Sequence, residues 1–115
     1  MACKKWEVWL ADLNPQVGTE PGKILPVVII QTDLLNECHP SAIICPVTTK
    51  IEPQAEILRV HLKSGEAGLQ KSSDILADQI RAIDKRRLIS RLGIISDRRK
   101  MKLVENISII LDLKI

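Results

Sequence analysis

Two apolar, strand-like runs and the loop between them, Trp6 to Gln31 (WEVWLADLNPQVGTEPGKILPVVIIQ), constrain this chain more than any other stretch. Leu25 to Gln31 is almost continuously apolar and rich in Val and Ile, so it reads as a strand buried on both faces. Such a strand needs a neighbour and a packed layer on each side. Lys5 to Leu13 supplies one neighbour, with Trp6, Val8 and Leu10 on one face and Glu7, Trp9 and Ala11 on the other. Asn14-Pro15, Gly18 and Pro21-Gly22 punctuate the connection. It is long enough to act as a lid or carry a site, and it bears one carboxylate, Glu20.

The rest of the chain offers partners for that pair. Thr32 to Pro40 is a polar loop with one helical turn at Asp33-Leu34-Leu35-Asn36. Ser41 to Thr49 reads as a third strand, and Pro46 inside it predicts a bulge or a free edge, because proline donates nothing to a ladder. A turn at Ile51-Glu52-Pro53-Gln54 leads to a fourth strand over Glu56 to Leu62, and Ser64 to Gly68 is a loop. Periodicity leaves Asp74 to Ile83 open between a bulged strand and a short helix. Five strand candidates in so short a chain suggest a small barrel, which favours the strand. Asp84 to Leu88 is then a turn and Ile89 to Ile95 a last short strand. Ser96-Asp97 offers an N-cap, and Met101, Val104, Ile107 and Leu111, with Leu103 and Ile110, form a helical stripe. This predicts an amphipathic helix from Asp97 to about Leu111, packed on the barrel or across a dimer interface.

At 115 residues the chain is expected to form one domain around one core. With two Trp and no Phe or Tyr, that core must be Ile, Leu and Val, and the shortage argues against nucleic-acid binding by rows of aromatic platforms for stacked bases. No apolar run approaches a membrane span, and a carboxylate at Glu7 comes too early for a signal peptide, which suggests a cytoplasmic protein. Cys3, Cys38 and Cys45 cannot all pair, and no CxxC or Cys/His ligand spacing occurs, so reduced thiols and no metal or cofactor are expected. Charge is uneven. Between Arg81 and Lys102 nine Lys and Arg face only Asp84 and Asp97, a local excess of seven in a chain of net charge +3. That excess favours an anionic partner, a phosphate backbone or an acidic protein tail.

Residue types alone do not point to a reaction. His39 and His61 have no evident partners, so a paired-histidine ribonuclease has little support, and Cys45 sits among core residues. Glu20, Lys23 and Thr48-Thr49 are the more suggestive set, though a lone loop carboxylate is ordinarily just solvated and Thr-Thr is simply good strand sequence.

Three ordered blocks narrow the reading. They are Val8-Trp9-Leu10-Ala11-Asp12-Leu13-Asn14-Pro15 with Gly18-Thr19-Glu20, Gly22 and Pro26 to Ile30; Cys45 to Lys50; and Ser73 to Leu88. Together with the terminal helix they resemble the MazF/PemK (Kid-like) family of toxin–antitoxin endoribonucleases over essentially the whole chain. The resemblance implies a β-rich α+β fold, an SH3-like, partly open β-barrel with a C-terminal amphipathic helix, working as a homodimer. It implies metal-independent cleavage of single-stranded RNA, commonly mRNA, at short motifs, with the RNA's own 2′-OH as nucleophile. It also implies a cognate antitoxin whose acidic C-terminal segment covers the same groove.

Such a reaction needs a group to take the 2′-OH proton, one to protonate the leaving 5′-oxygen, and donors on the phosphate oxygens. In the family pattern an Arg before the Pro of the second strand supplies most of this, the residue matching Thr48 donates to the phosphate, and the one matching Glu20 assists. Lys23, Thr49, Lys50, Arg81 and Lys85 are candidate RNA contacts, although the motif assigns Arg81 and Lys85 no chemical role. The pattern breaks where the family has Arg-Pro, because this chain has Leu25-Pro26. Leucine has no donor, no charge and no proton to exchange. The chain is therefore expected to be an inactive variant, engineered or natural, unless Lys23 replaces the lost charge from the same strand face. Lysine is a poorer clamp than the planar guanidinium fork. The alternatives from another class are a non-catalytic homologue that binds an antitoxin peptide and a CcdB-like gyrase poison.

Overall fold

The computed structural model describes residues 2–15, 17–19 and 23–113. Its elements are β1 (Glu7–Asp12), β2 (Ile24–Ile29), α1 (Asp33–Asn36), β3 (Ser41–Thr48), β4 (Arg59–Leu62), β5 (Ser73–Leu76), β6 (Arg81–Asp84), β7 (Leu88–Ile94) and α2 (Asp97–Ile110). Short 3-10 turns lie at Glu66–Gly68 and Lys85–Arg87. All strands join one antiparallel sheet in the order β4-β5-β3-β2-β1-β7, with β6 also on β3. It is an open barrel-like sheet with a C-terminal helix, as the sequence predicts.

The central strand β2 behaves as its composition requires. Val27, Val28 and Ile29 are all buried, Val28 in one apolar cluster and Val27 and Ile29 in the other. The same alternation runs through β1, where Val8 joins the first cluster and Trp9 and Ala11 the second. Helix α2 covers the first cluster with Leu103, supported by Ile107 and Ile110. The helix begins where Ser96 Oγ accepts the Arg99 N–H. Its predicted stripe divides, because Met101, Val104 and Leu111 stay exposed.

Three expectations change in detail. Asp74 to Ile83 is neither one bulged strand nor a helix. It is two strands, β5 and β6, both laid along β3, with Ser41 to Ile44 pairing β6 and Val47 and Thr48 pairing β5. Pro46 falls between those two sets, so its missing N–H interrupts the edge where the partner changes. The fourth strand starts at Arg59, not Glu56, because the carbonyls of Glu56 and Arg59 accept hydrogen bonds from Asn106 Nδ2 on α2 (3.1 Å each). The first strand starts at Glu7, because Trp6 has a left-handed backbone (φ 75°), although it still bonds Ile29 and Ile95 on either side. No helix among the described residues is long and apolar enough to cross a membrane.

Candidate active site

The site is set by strand register. Pairing of β2 with β3 runs from Ile29–Ile44 to Val27–Pro46; Leu25 lies two residues beyond Val27 on β2, and Thr48 two residues beyond Pro46 on β3. Thr48 pairs with Asp74 on β5, and Asp74 pairs with His61 on β4. Directly opposed residues project to one side of a sheet. Thr48, Asp74 and His61 therefore form a transverse row across three strands, with Leu25 just past the end of the β2–β3 pairing.

Each of these four residues is held differently. Leu25 is half-buried against the second apolar cluster. Thr48 is half-buried at the end of β3, and its hydroxyl oxygen accepts the Lys50 N–H (3.1 Å). The Asp74 side chain is fully buried and accepts from the Glu52 N–H (2.8 Å) and Arg59 Nη1 (3.1 Å), while its other oxygen lies 2.6 Å from His61 Nδ1. Burial pushes this carboxyl up, but the Glu52 N–H, His61 and Arg59 outweigh it and hold the group below its ordinary value. Asp74 thus stays ionised in the interior. Arg59 Nη1 also donates to the carbonyl of Lys50 (2.7 Å), tying the segment after β3 to the same carboxylate.

The loop joining β1 to β2 is fastened at its base. Leu13 N–H donates to the Lys23 carbonyl, Lys23 N–H to Asn14 Oδ1, and Arg87 Nη1 to the carbonyls of Asp12 and Asn14. Glu20, the carboxylate expected to assist, lies outside the described residues. Lys23 precedes β2 and has a left-handed backbone (φ 70°), so the strand alternation that was to align it with Leu25 does not run through it. Thr49 and Lys50 are exposed beyond β3. Arg81 is half-buried in β6 opposite Ile44. The Lys85 ammonium donates to the Asn36 carbonyl, which gives it a structural task on the far side of β6.

The basic segment is largely answered from within. Arg86 pairs with Asp84, Arg91 with Glu7, Arg99 with Glu66 and Lys100 with Asp97. Its residues are spread over β6, the Lys85–Arg87 turn, β7 and α2. Cys45, as expected, is a core residue, its thiol pushed up to about 12 by burial and by the Asp78 charge.

His61 and Asp74 are the pair that the residue pattern leaves separate, 13 positions apart. His39 lies instead in the loop after α1. A charged residue inside the buried run Ser73 to Leu76, and a half-exposed histidine between the buried Val60 and Leu62, were the only local signals.

Residues 4–111 match the family described as the PemK-like, MazF-like toxin of type II toxin–antitoxin systems. The chain belongs to that family. It is 36% identical over 113 residues to the endoribonuclease EndoA of Bacillus subtilis, covering 98% of this chain and 97% of the relative. It is 42% identical over 103 residues to the endoribonuclease MazF of Staphylococcus saprophyticus, covering 90% and 85%. Among solved structures, MazF from Deinococcus radiodurans superposes with a TM-score of 0.84 at 20% identity, covering 98% of this chain and 99% of that one. A MazE-MazF structure from the same organism gives 0.78 at 20% identity, with 99% of each chain covered. At that identity the superpositions speak for the fold alone. The chain is a MazF-type toxin, and the likenesses do not favour a gyrase poison.

Proposed function

We propose that this MazF-type toxin is built to cleave single-stranded RNA, mRNA included, through attack of the substrate's 2′-OH, and that leucine at position 25 weakens its cleavage. The toxin reading rests on the family match, and the RNA-cleaving activity on the two endoribonuclease relatives that span nearly the whole chain. The observation that supports the role of position 25 is its place on β2 next to β3, two residues past the paired Val27 as Thr48 is two residues past the paired Pro46. The Thr48 hydroxyl is a suitable donor to a phosphate oxygen. Glu20 on the adjoining loop is the assisting carboxylate. Lys23, Thr49, Lys50 and Arg81 border the RNA path, and Lys85 contributes least because its ammonium is already bound.

The working unit is a cytoplasmic homodimer that needs no cofactor. Its antitoxin covers the groove with an acidic segment, in keeping with a toxin of net charge +3. Replacing a non-polar side chain with a planar, bidentate cation restores stabilisation of the developing phosphorane charge. Leu25→Arg should therefore raise the cleavage rate of a long single-stranded RNA by roughly 10²–10³ over the parent chain, comparable to one oxyanion-type donor. Purified, antitoxin-free protein and gel analysis of the RNA test this. Absence of cleavage by both proteins defeats the reading.

A further inference from the structure

Thr48 shares its row with a His–Asp pair that has no assigned task, and that pair borders a cleft of about 330 Å³. The cleft is within the roughly 300–1,000 Å³ range of ligand sites. Ile51, Pro53, Lys63, Ser72 and Arg99 line it together with His61 and Asp74.

Asp74 decides the state of the imidazole. An ionised carboxylate only accepts, so the 2.6 Å contact with His61 requires the proton on Nδ1. In the neutral ring Nε2 is then a bare acceptor. That atom is buried and has no hydrogen-bond partner among the described residues, although 37% of the side chain is open to solvent. A buried polar atom without a partner is costly and calls for a physical reason. Here a substrate hydroxyl is a suitable partner.

We propose that His61, oriented by Asp74, is the proton acceptor for the attacking 2′-OH. This inference rests on the RNA-cleaving reading above. Nε2 takes the 2′-OH proton, and the 2′-oxygen forms a bond to the adjacent phosphorus. The phosphorus–5′-oxygen bond breaks with its electron pair on the 5′-oxygen, which takes a proton from water. The imidazolium then returns its proton to the hydroxide so formed, leaving a 2′,3′-cyclic phosphate and a 5′-hydroxyl. Ile51 and Pro53 belong to the segment 49–58, which has no strand ladder of its own but is held to Asp74 and Arg59 at Glu52 and Lys50, so a nucleotide reaches Nε2 only by shifting the Ile51–Pro53 wall. Arg59 and Asp74 act through His61 and the segment and are positioning residues.

The test is made in the parent chain and in Leu25→Arg. His61→Gln keeps an N–H that can reach Asp74 but no proton acceptor of imidazole strength. Single-turnover cleavage of a long single-stranded RNA should fall by about 10²-fold or more in both backgrounds, the usual span for a lost acid–base group being roughly 10²–10⁴. RNA affinity should remain within about threefold, and the thermal midpoint should show that the variant is folded. If Leu25→Arg cleaves and adding His61→Gln leaves its rate within threefold, the role of His61 is refuted while the RNA-cleaving reading stands. A parallel loss of affinity and rate refutes it equally, because His61 is then a binding contact. If neither parent nor Leu25→Arg cleaves, both readings fall together.

Discussion

Asp74 is shut off from solvent and still carries its charge, which it can do only because the Glu52 N–H, Arg59 and His61 all donate to it. Replacing one oxygen by an NH2 leaves donor facing donor inside the protein. Asp74→Asn should therefore cost about 2–4 kcal/mol, a range reduced for the partial exposure of Arg59 and His61. For a domain of this size that lowers the thermal midpoint by roughly 10 °C, measurable by circular dichroism. An unchanged midpoint contradicts this account of the buried carboxylate. At this scale the sequence was only partly legible. Thr48 and position 25 are candidates through the family resemblance alone, because they sit in contiguous, patterned blocks. His61 and Asp74 could not be picked out, because their meeting depends on the register between β4 and β5, and short strands carry little local information about register.

Elements were more legible than sites, and the reason is periodicity. Helix α2 has a cap and a helical stripe, and β2 has an unbroken apolar run, so each identifies itself. The segment from Asp74 to Ile83 does not, because the turn at 77–80 is apolar and acidic without the Gly or Pro that would mark a break. A second feature hidden from pattern reading is the contact between the Glu66–Gly68 turn and β7. Gly93 sits so close to that turn that a Cβ would lie 2.5 Å from both the carbonyl carbon and oxygen of Ala67. On the facing side, Gly68 has φ +76°, and a Cβ there would lie 2.0 Å from the Leu92 carbonyl oxygen. Backbone meets backbone, so no flexible side chain can move aside. Gly93→Ala should displace the turn from β7 and cost about 1–3 kcal/mol by overpacking, read as a lower urea midpoint with little change in slope. A midpoint equal to that of the parent shows that the turn yields freely.

The open barrel leaves β4 and β7 at the two ends of its main strand order, and ion pairs on three carboxylates lie where those ends need support. Arg91 on β7 reaches Glu7 on β1 (2.6 Å). Arg59 and His61 on β4 reach Asp74 on β5. Arg99 on α2, the helix that packs on β4, grips Glu66 in the turn that packs on β7 (3.0 Å), so helix and turn together bridge the gap. All three carboxylates are held below their ordinary values. For Glu66 the Arg99 hydrogen bonds dominate. For Glu7 burial acts upward but is outweighed by hydrogen bonds from Trp9 and Arg91, and for Asp74 by those from the Glu52 N–H, His61 and Arg59. A carboxylate whose folded value is depressed contributes its full stability above the unfolded value and loses it as pH falls through the folded one. The ordinary values are 4.5 for Glu and 3.8 for Asp, so stability should hold as pH falls to about 5 and then decline steadily through the region below 4. The urea midpoint measured against pH should trace that decline. Glu66→Gln should lower the midpoint at neutral pH and make the acid slope shallower, because one of the linked protons no longer binds. A slope as steep as that of the parent means that Glu66 does not close the barrel.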